Sequence, residues 1–409
     1  MKEPMSYFRL STIISACVTA LIASALGFVS YVLIPDRFPI RLQALPVVVA
    51  TSTSPIPTIV PKVIAHLKTP VPVRAIYMTA CVASLSKWRT QLAELIDETE
   101  LNAVIIDVKD YTGTISIPSS DPLLIGTSGT GCKVPDMEEF LAFLHEKGIY
   151  TIARIAVFQD PLYVKHYPEY AVKTKTDKKV IWRDRKGLPF IDVGATPYWD
   201  YIVRLGNASY DIGFDELNFD YIRFPSDGNM KDVYYEWSNA TITANQVNGR
   251  SLVVNEFFKH IHAAFASTSV KTSADLFGMT ATNYDDLSIG QILEHAAASF
   301  DFVAPMVYPS HYPKGFLGFD DVNKHPYEIV KYSMDKAVSR LVAASTTPSK
   351  LRPWLQDNNY PVVYTAAMVR AQIQATYDAG LDSWMLWDPA NRYTREALLD
   401  ADAETGESL

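Results

Sequence analysis

A chain of 409 residues, 48% hydrophobic and 20% charged, has an ordinary globular composition that excludes disorder throughout and leaves room for one large domain with additions. Its net charge of −8 and 12% aromatic content speak against a nucleic-acid partner, whose phosphates need a basic surface, and fit neutral or cationic ligands better.

The first feature in chain order is the uncharged stretch Ser11–Ile34, preceded by Lys2 and Arg9. It is long enough to cross a bilayer as a helix, and the basic residues before it would keep the N-terminus in the cytoplasm. Residues 1–34 therefore read as an uncleaved anchor with everything after them outside. Ala23-Ser24-Ala25 offers a cleaved signal as the alternative, and Ile14-Ser15-Ala16-Cys17 a lipobox with too short an apolar run before it. Both the anchor and the cleaved signal send the remainder out of the cytoplasm. Residues 35–72 hold Pro46, Pro55, Pro57, Pro61 and Pro70 around Thr51-Ser52-Thr53-Ser54, a composition that favours an extended spacer.

From Val73 onward short β-branched runs alternate with longer amphipathic segments, the pattern of βα units. Strands are expected at Val73–Thr79, Ala103–Val108, Tyr150–Val157, Glu216–Phe219, Thr272–Leu276, Phe302–Met306, Leu351–Leu355 and Ser383–Leu386. Helices are expected at Ser86–Thr99, Asp136–Lys147, Pro197–Asp211, Ser251–Ser267, Ser288–Ala298, Pro326–Ala343 and Tyr364–Ala379. An open doubly wound sheet would show a similar alternation. A single (β/α)8 TIM barrel over residues 73–400, behind the transmembrane helix and the Pro-rich linker, is favoured because strand after strand ends in reactive side chains, as barrel enzymes build their sites. Residues 401–409 read as a flexible tail. Two long connections stand out: Tyr111–Pro135, and Gln159–Thr196 with the basic run Lys173–Lys186 around Trp182, either a solvated hairpin or a substrate-contacting flap.

Of three cysteines, Cys17 falls in the apolar segment, and Cys81 and Cys132 either pair in an oxidising compartment or stay as two free thiols. There is no Cys-x-x-Cys or His-Glu-x-x-His spacing to suggest a metal, and nothing calls for a cofactor.

Five segments together resemble one family. They are Gly213–Pro225 (GFDELNFDYIRFP), Val104–Asp110, Ser273–Gly278, Ala304–Pro309 and Trp384–Pro389. Their order and content are similar to those of the glycoside hydrolase-like barrel family first catalogued as a domain of unknown function, over most of Val73–Thr394. The resemblance implies a β/α barrel and carbohydrate hydrolysis.

Glycosidic hydrolysis needs one carboxylic acid to protonate the leaving oxygen and a second carboxylate to attack or to activate water. Asp220, at the end of a strand and close to Arg223, is the candidate nucleophile or base; its bland alternative is a helix cap or a salt-bridge partner of Arg223. Asp275, in the uncharged run Ser273–Thr282, is the candidate general acid because burial would raise its pKa; otherwise it is a structural carboxylate. Asp107 and Lys109, two apart on one strand and so expected on one face, are a polar brace or a substrate contact. Arg223, Tyr308, His311, Gln356, Trp384, Trp387 and Asp388 complete a polar and aromatic rim suited to a polysaccharide or oligosaccharide. The alternatives are a non-catalytic carbohydrate-binding barrel and a metal-dependent deacetylase or phosphodiesterase using Asp107, Asp110 and His311.

Overall fold

The computed structural model describes residues 64–401. Eight parallel strands form a closed barrel: β1 (Arg74–Met78), β2 (Ala103–Lys109), β3 (Tyr150–Ala156), β4 (Glu216–Asp220), β5 (Lys271–Phe277), β6 (Phe302–Met306), β7 (Trp354–Gln356) and β8 (Trp384–Trp387). Neighbours follow chain order, and β1 closes the ring on β8 with Arg74 opposite Trp384. The helices that cover it are α1 (Ser86–Asp97), α2 (Met137–Glu146), α3 (Thr196–Asp211), α4 (Gly249–Phe265), α5 (Leu293–Ser299), α6 (Pro326–Ala343) and α7 (Ala366–Asp378).

The period-2 alternation of the strands sorts the core into two clusters. Val104 and Ile106 pack outward under the helices, while Ala103 and Ile105 join Ala75, Tyr150, Ile152, Ala304 and Trp354 inside the barrel. The expected strands agree with the observed ones to within three residues. The expected helix at Ser288 begins instead at Leu293, since Leu287, Ser288 and Gly290 all have positive φ. At Gly290 a Cβ would come within 2.5 Å of Val254, so the chain turns tightly against α4 there and cannot be helical.

The N-terminal end of the barrel is plugged by charge. Glu216 points inward and pairs with Arg352 at 2.9 Å, and Tyr150 donates to it at 3.1 Å. Asp215 accepts hydrogen bonds from the Thr151 and Leu67 backbone N–H groups. Glu216 and Asp215 are thus at the end remote from the reactive strand termini. The last part of the stretch read as spacer, residues 64–72, belongs with the barrel: Leu67 packs on the interior cluster, His66 stacks on Tyr210 at 3.9 Å, and Thr69 meets the Tyr150 hydroxyl at 3.0 Å.

Cys81, just after β1, is disulfide-bonded to Cys132 in the β2–α2 connection. No helix among the described residues is long and apolar enough to cross a membrane. The expected anchor at Ser11–Ile34 and the tail from residue 402 lie outside the described residues.

A chain beginning at Val63 should unfold cooperatively, whereas one beginning at Pro70 should lose about 1–3 kcal/mol, because the buried Asp215 carboxylate gives up the Leu67 N–H and Tyr210 its stacked ring. Urea titrations of the two chains measure the difference; equal midpoints would mean that residues 64–69 only lie against the barrel.

Candidate active site

The C-terminal ends of the strands open into a cavity of about 590 Å3. Its charged floor is set by register. Asp107 on β2 lies opposite Arg154 on β3, and the pairing of Phe219 with Ala274 brings Asp220 and Asp275, the next residues of β4 and β5, side by side. The Arg154 guanidinium lies between these carboxylates. It donates to Asp107 at 2.6 Å and to Asp220, and its Nε is 3.8 Å from Asp275. Burial opposes the charge of Arg154, but Asp220 and Asp107 outweigh it and hold the guanidinium protonated.

The carboxyls differ in their surroundings. Asp220 Oδ1 accepts from the Tyr221 N–H at 2.6 Å while Oδ2 accepts from Arg154, so donors face both oxygens, as suits an ionised carboxylate. Tyr221 itself holds a left-handed φ of 54°, a strained conformation for a residue other than glycine, at the lip of the cavity. Asp275 is fully buried, and its pKa is pushed up to about 8, by burial first and then by the Asp220 charge, against the pull of Arg154, Asn218 and Trp354. Asn218 and Trp354 both donate to its Oδ1, at 2.9 and 2.8 Å, which leaves Oδ2 to carry the proton. Asp107 is also raised by burial, a shift that Arg154 and the Tyr77 hydroxyl oppose.

Aromatic rings line the same space. Tyr77 stacks on Trp387 at 4.1 Å, Trp354 meets Trp387 edge-on at 5.7 Å, and Arg154 lies 5.2 Å from the Trp387 ring centre. Tyr308 and His311 contact each other edge-on at 5.1 Å, and burial lowers the His311 pKa, which favours the neutral imidazole.

Of the residues expected from sequence, Asp107, Asp220, Asp275, Arg223, Tyr308, His311 and Trp387 line the cavity. Lys109, Gln356, Asp388 and Trp384 do not; the Trp384 ring is buried in the core and donates to the Tyr377 hydroxyl at 3.0 Å. A β-bulge between Asp107 and Lys109 breaks their expected shared face, so Lys109 is fully buried against Asp160 at 2.9 Å and bonds the Ala156 carbonyl. Gln356 bridges loops through Ser310 and the Asn358 carbonyl, and Asp388 accepts from the N–H groups of Ala390 and Arg392. Arg223 does not pair with Asp220; it donates to the Phe224 carbonyl at 3.0 Å. Sequence reasoning missed Arg154, Tyr77, Asn218 and Trp354. Only Arg154 left a readable trace, as the one charge in the apolar run Tyr150–Val157, at the parity of inward-facing Tyr150 and Ile152.

Fold and site define a β/α-barrel protein whose mouth sets two carboxyls on adjoining strands above an aromatic floor. Residues 75–393 match the family described as "Putative glycosyl hydrolase domain", and the chain belongs to that family. Among solved structures, the glycoside hydrolase domain of PgaB (BpsB) from Bordetella bronchiseptica is 13% identical, with a TM-score of 0.56 over 78% of this chain and 94% of its own. The β-galactosidase of the psychrophilic Marinomonas ef1 is 12% identical, with a TM-score of 0.54 over 80% of this chain and 58% of its own. A hypothetical protein from Ruminiclostridium thermocellum is 27% identical over 49% of this chain and 96% of its own, with a TM-score of 0.43. The first two likenesses concern the fold. No curated protein matches the chain.

Replacing Arg154 by Met should cost about 3–5 kcal/mol at neutral pH, because Asp107 and Asp220 would share a buried site without a counter-charge. Burial already raises the folded-state pKa of Asp107, and without the guanidinium it would rise further, so the deficit should shrink as pH falls toward 5. Urea unfolding at pH 5 and pH 8 checks both the size and the sign.

Proposed function

We propose that the protein is a glycoside hydrolase acting on an extracytoplasmic polysaccharide, with Asp275 as general acid and Asp220 as nucleophile or base. The observation that carries this reading is the contrast between two neighbouring carboxyls: Asp275 is pushed up to about 8 and protonated at neutral pH, while Asp220 faces donors on both oxygens. A carboxyl held protonated beside one whose two oxygens both meet donors is what acid and base roles require. In the proposed reaction the proton on Asp275 Oδ2 passes to the glycosidic oxygen as its bond to the anomeric carbon breaks. That carbon is taken by an Asp220 oxygen, or by a water whose proton moves to Asp220. The Trp387 ring beside Arg154 offers a sugar's apolar face a platform, and the net negative floor favours the positive charge that develops on the ring.

The aromatic floor alone would also suit a barrel that binds sugars without cutting them; the protonated Asp275 favours hydrolysis. The metal-dependent alternative finds no support in geometry, since no group of three or more His, Cys, Asp or Glu side chains among the described residues is arranged to hold a metal ion. The Cys81–Cys132 disulfide suits a barrel outside the cytoplasm, tethered through the apolar segment Ser11–Ile34.

Asp220→Asn and Asp275→Asn should each lower turnover of a natural glycan by about 10²–10⁴-fold or more, since an amide can neither attack nor donate a proton. On an activated aryl glycoside, whose leaving group needs little protonation, the Asp275 variant should regain much of its rate and the Asp220 variant should not. Equal rescue of both would overturn the roles.

The pH dependence is a separate check. Wild-type rate should decline as pH rises through about 8, where Asp275 loses its proton, and this alkaline limb should vanish in Asp275→Asn. Because the folded-state value is raised, the stabilising contribution of this carboxyl is present below the ordinary carboxylate range and is lost as pH climbs to about 8. The variant should therefore lose less stability than wild type between pH 5 and pH 8, as thermal unfolding at the two values would measure.

A further inference from the structure

Between β3 and α3 the chain leaves the barrel to build a small module. Trp182 N donates to the Val172 carbonyl and Thr174 N to that of Val180, both at 2.9 Å, closing a hairpin, and Asp184 N to the Leu188 carbonyl at 3.0 Å closes a second turn. Lys173–Thr174 pairs antiparallel with Val233–Tyr234 from the β4–α4 connection. The module has its own anchor: Trp182 is buried, donates from its indole to the Asn229 carbonyl at 3.1 Å and packs edge-on against Phe190.

The anchored turns display positive charge. Lys175, Lys178, Lys179, Arg183, Arg185 and Lys186 are all exposed, and none has an ion-pair partner among the described residues. The carboxylates between and beside them are engaged otherwise. Asp177 accepts from the Lys179 N–H at 3.0 Å, Asp184 from the N–H groups of Lys186 and Leu188, and Asp232 from the N–H and hydroxyl of Thr176. These acids shape the turns that carry the cations. From Lys173 to Lys186 seven Lys and Arg stand against two Asp, a net +5 in a chain of net −8. Left unpaired on so acidic a protein, this charge creates a local potential of the opposite sign to that of the rest.

The module stands on the face of the barrel where the cavity opens. It packs on the connection that begins with Tyr221 and Arg223, and Gln159 at the end of β3 reaches Asp184. We propose that this basic hairpin is a docking surface for an acidic polysaccharide, one carrying a carboxylate or phosphate in its repeat. Six separate cations on open turns, with no enclosed pocket around them, suit a partner whose charge repeats along its length rather than a single anion. A bilayer fits less well, since Val180 is the one large apolar side chain exposed between Lys173 and Lys186 and membrane contact here would press the cavity mouth against lipid. Docking does not depend on hydrolysis, so its failure and that of the catalytic reading are distinguishable.

The full chain should be retarded in native gels containing polygalacturonate, but not dextran, and the retardation should weaken with added salt. Lys175→Glu/Lys178→Glu/Lys179→Glu should weaken it at least tenfold, and the milder Arg183→Gln/Arg185→Gln/Lys186→Gln should weaken it by a smaller factor. Thermal unfolding confirms that each variant is folded, and aryl-glycoside hydrolysis should be unchanged in both. Absence of retardation, or equal retardation of wild type and the triple Glu variant, would overturn the proposal. So would sedimentation with phosphatidylglycerol vesicles that charge reversal abolishes while polygalacturonate has no effect, which would reassign the surface to lipid.

Discussion

One guanidinium inside a low-dielectric barrel mouth sets the electrostatics of everything around it. Arg154 holds two carboxylates, Asp107 and Asp220, by direct hydrogen bonds, and has no equally close contact left for Asp275, whose nearer oxygen is 3.8 Å from Nε. A third negative charge here would be buried beside Asp220 without a full partner, so the cheaper state keeps the proton on Asp275. The proposed acid is thus a consequence of how one cation is divided among three anions.

The remainder of the barrel isolates this arrangement. Glu216 and Arg352 form a separate buried pair at the opposite end, and Lys109 and Asp160 form another behind the sheet. Each charge finds its partner locally, as burial demands. The bulge after Asp107 is what keeps these sets apart. Had β2 continued its regular alternation, Lys109 would face the interior and offer the mouth a second cation, removing the reason for Asp275 to stay neutral. Tyr77 and Trp387, on the adjoining strands β1 and β8, stack over the same charges and exclude water from one side of the guanidinium.

The connections contribute by what they attach to the mouth. The disulfide ties the β2–α2 connection to the start of the segment after β1, holding part of the rim through covalent rather than hydrophobic means. The β3–α3 module is anchored by a buried indole instead, so its cations stand on ordered turns. An acidic floor and a basic hairpin on one face divide the surface by charge, which is a means of orienting a long ligand before any bond is made.

The alternation of short apolar runs with amphipathic segments determined the eight strands and seven helices, because periodicity records which face of an element is buried. The same local logic marked Asp107, Asp220, Asp275, Tyr308 and Trp387, polar or aromatic residues at the ends of strands. The partner of each charge and the Cys81–Cys132 bond were decided only in the tertiary structure, since they join residues from distant parts of the chain. Lys109 shows the limit most clearly. Its spacing from Asp107 implied a shared face, but one bulge turned it into the wall behind the site, and Arg154 rather than Arg223 met Asp220 because register across adjoining strands, not nearness along the chain, brings charges together.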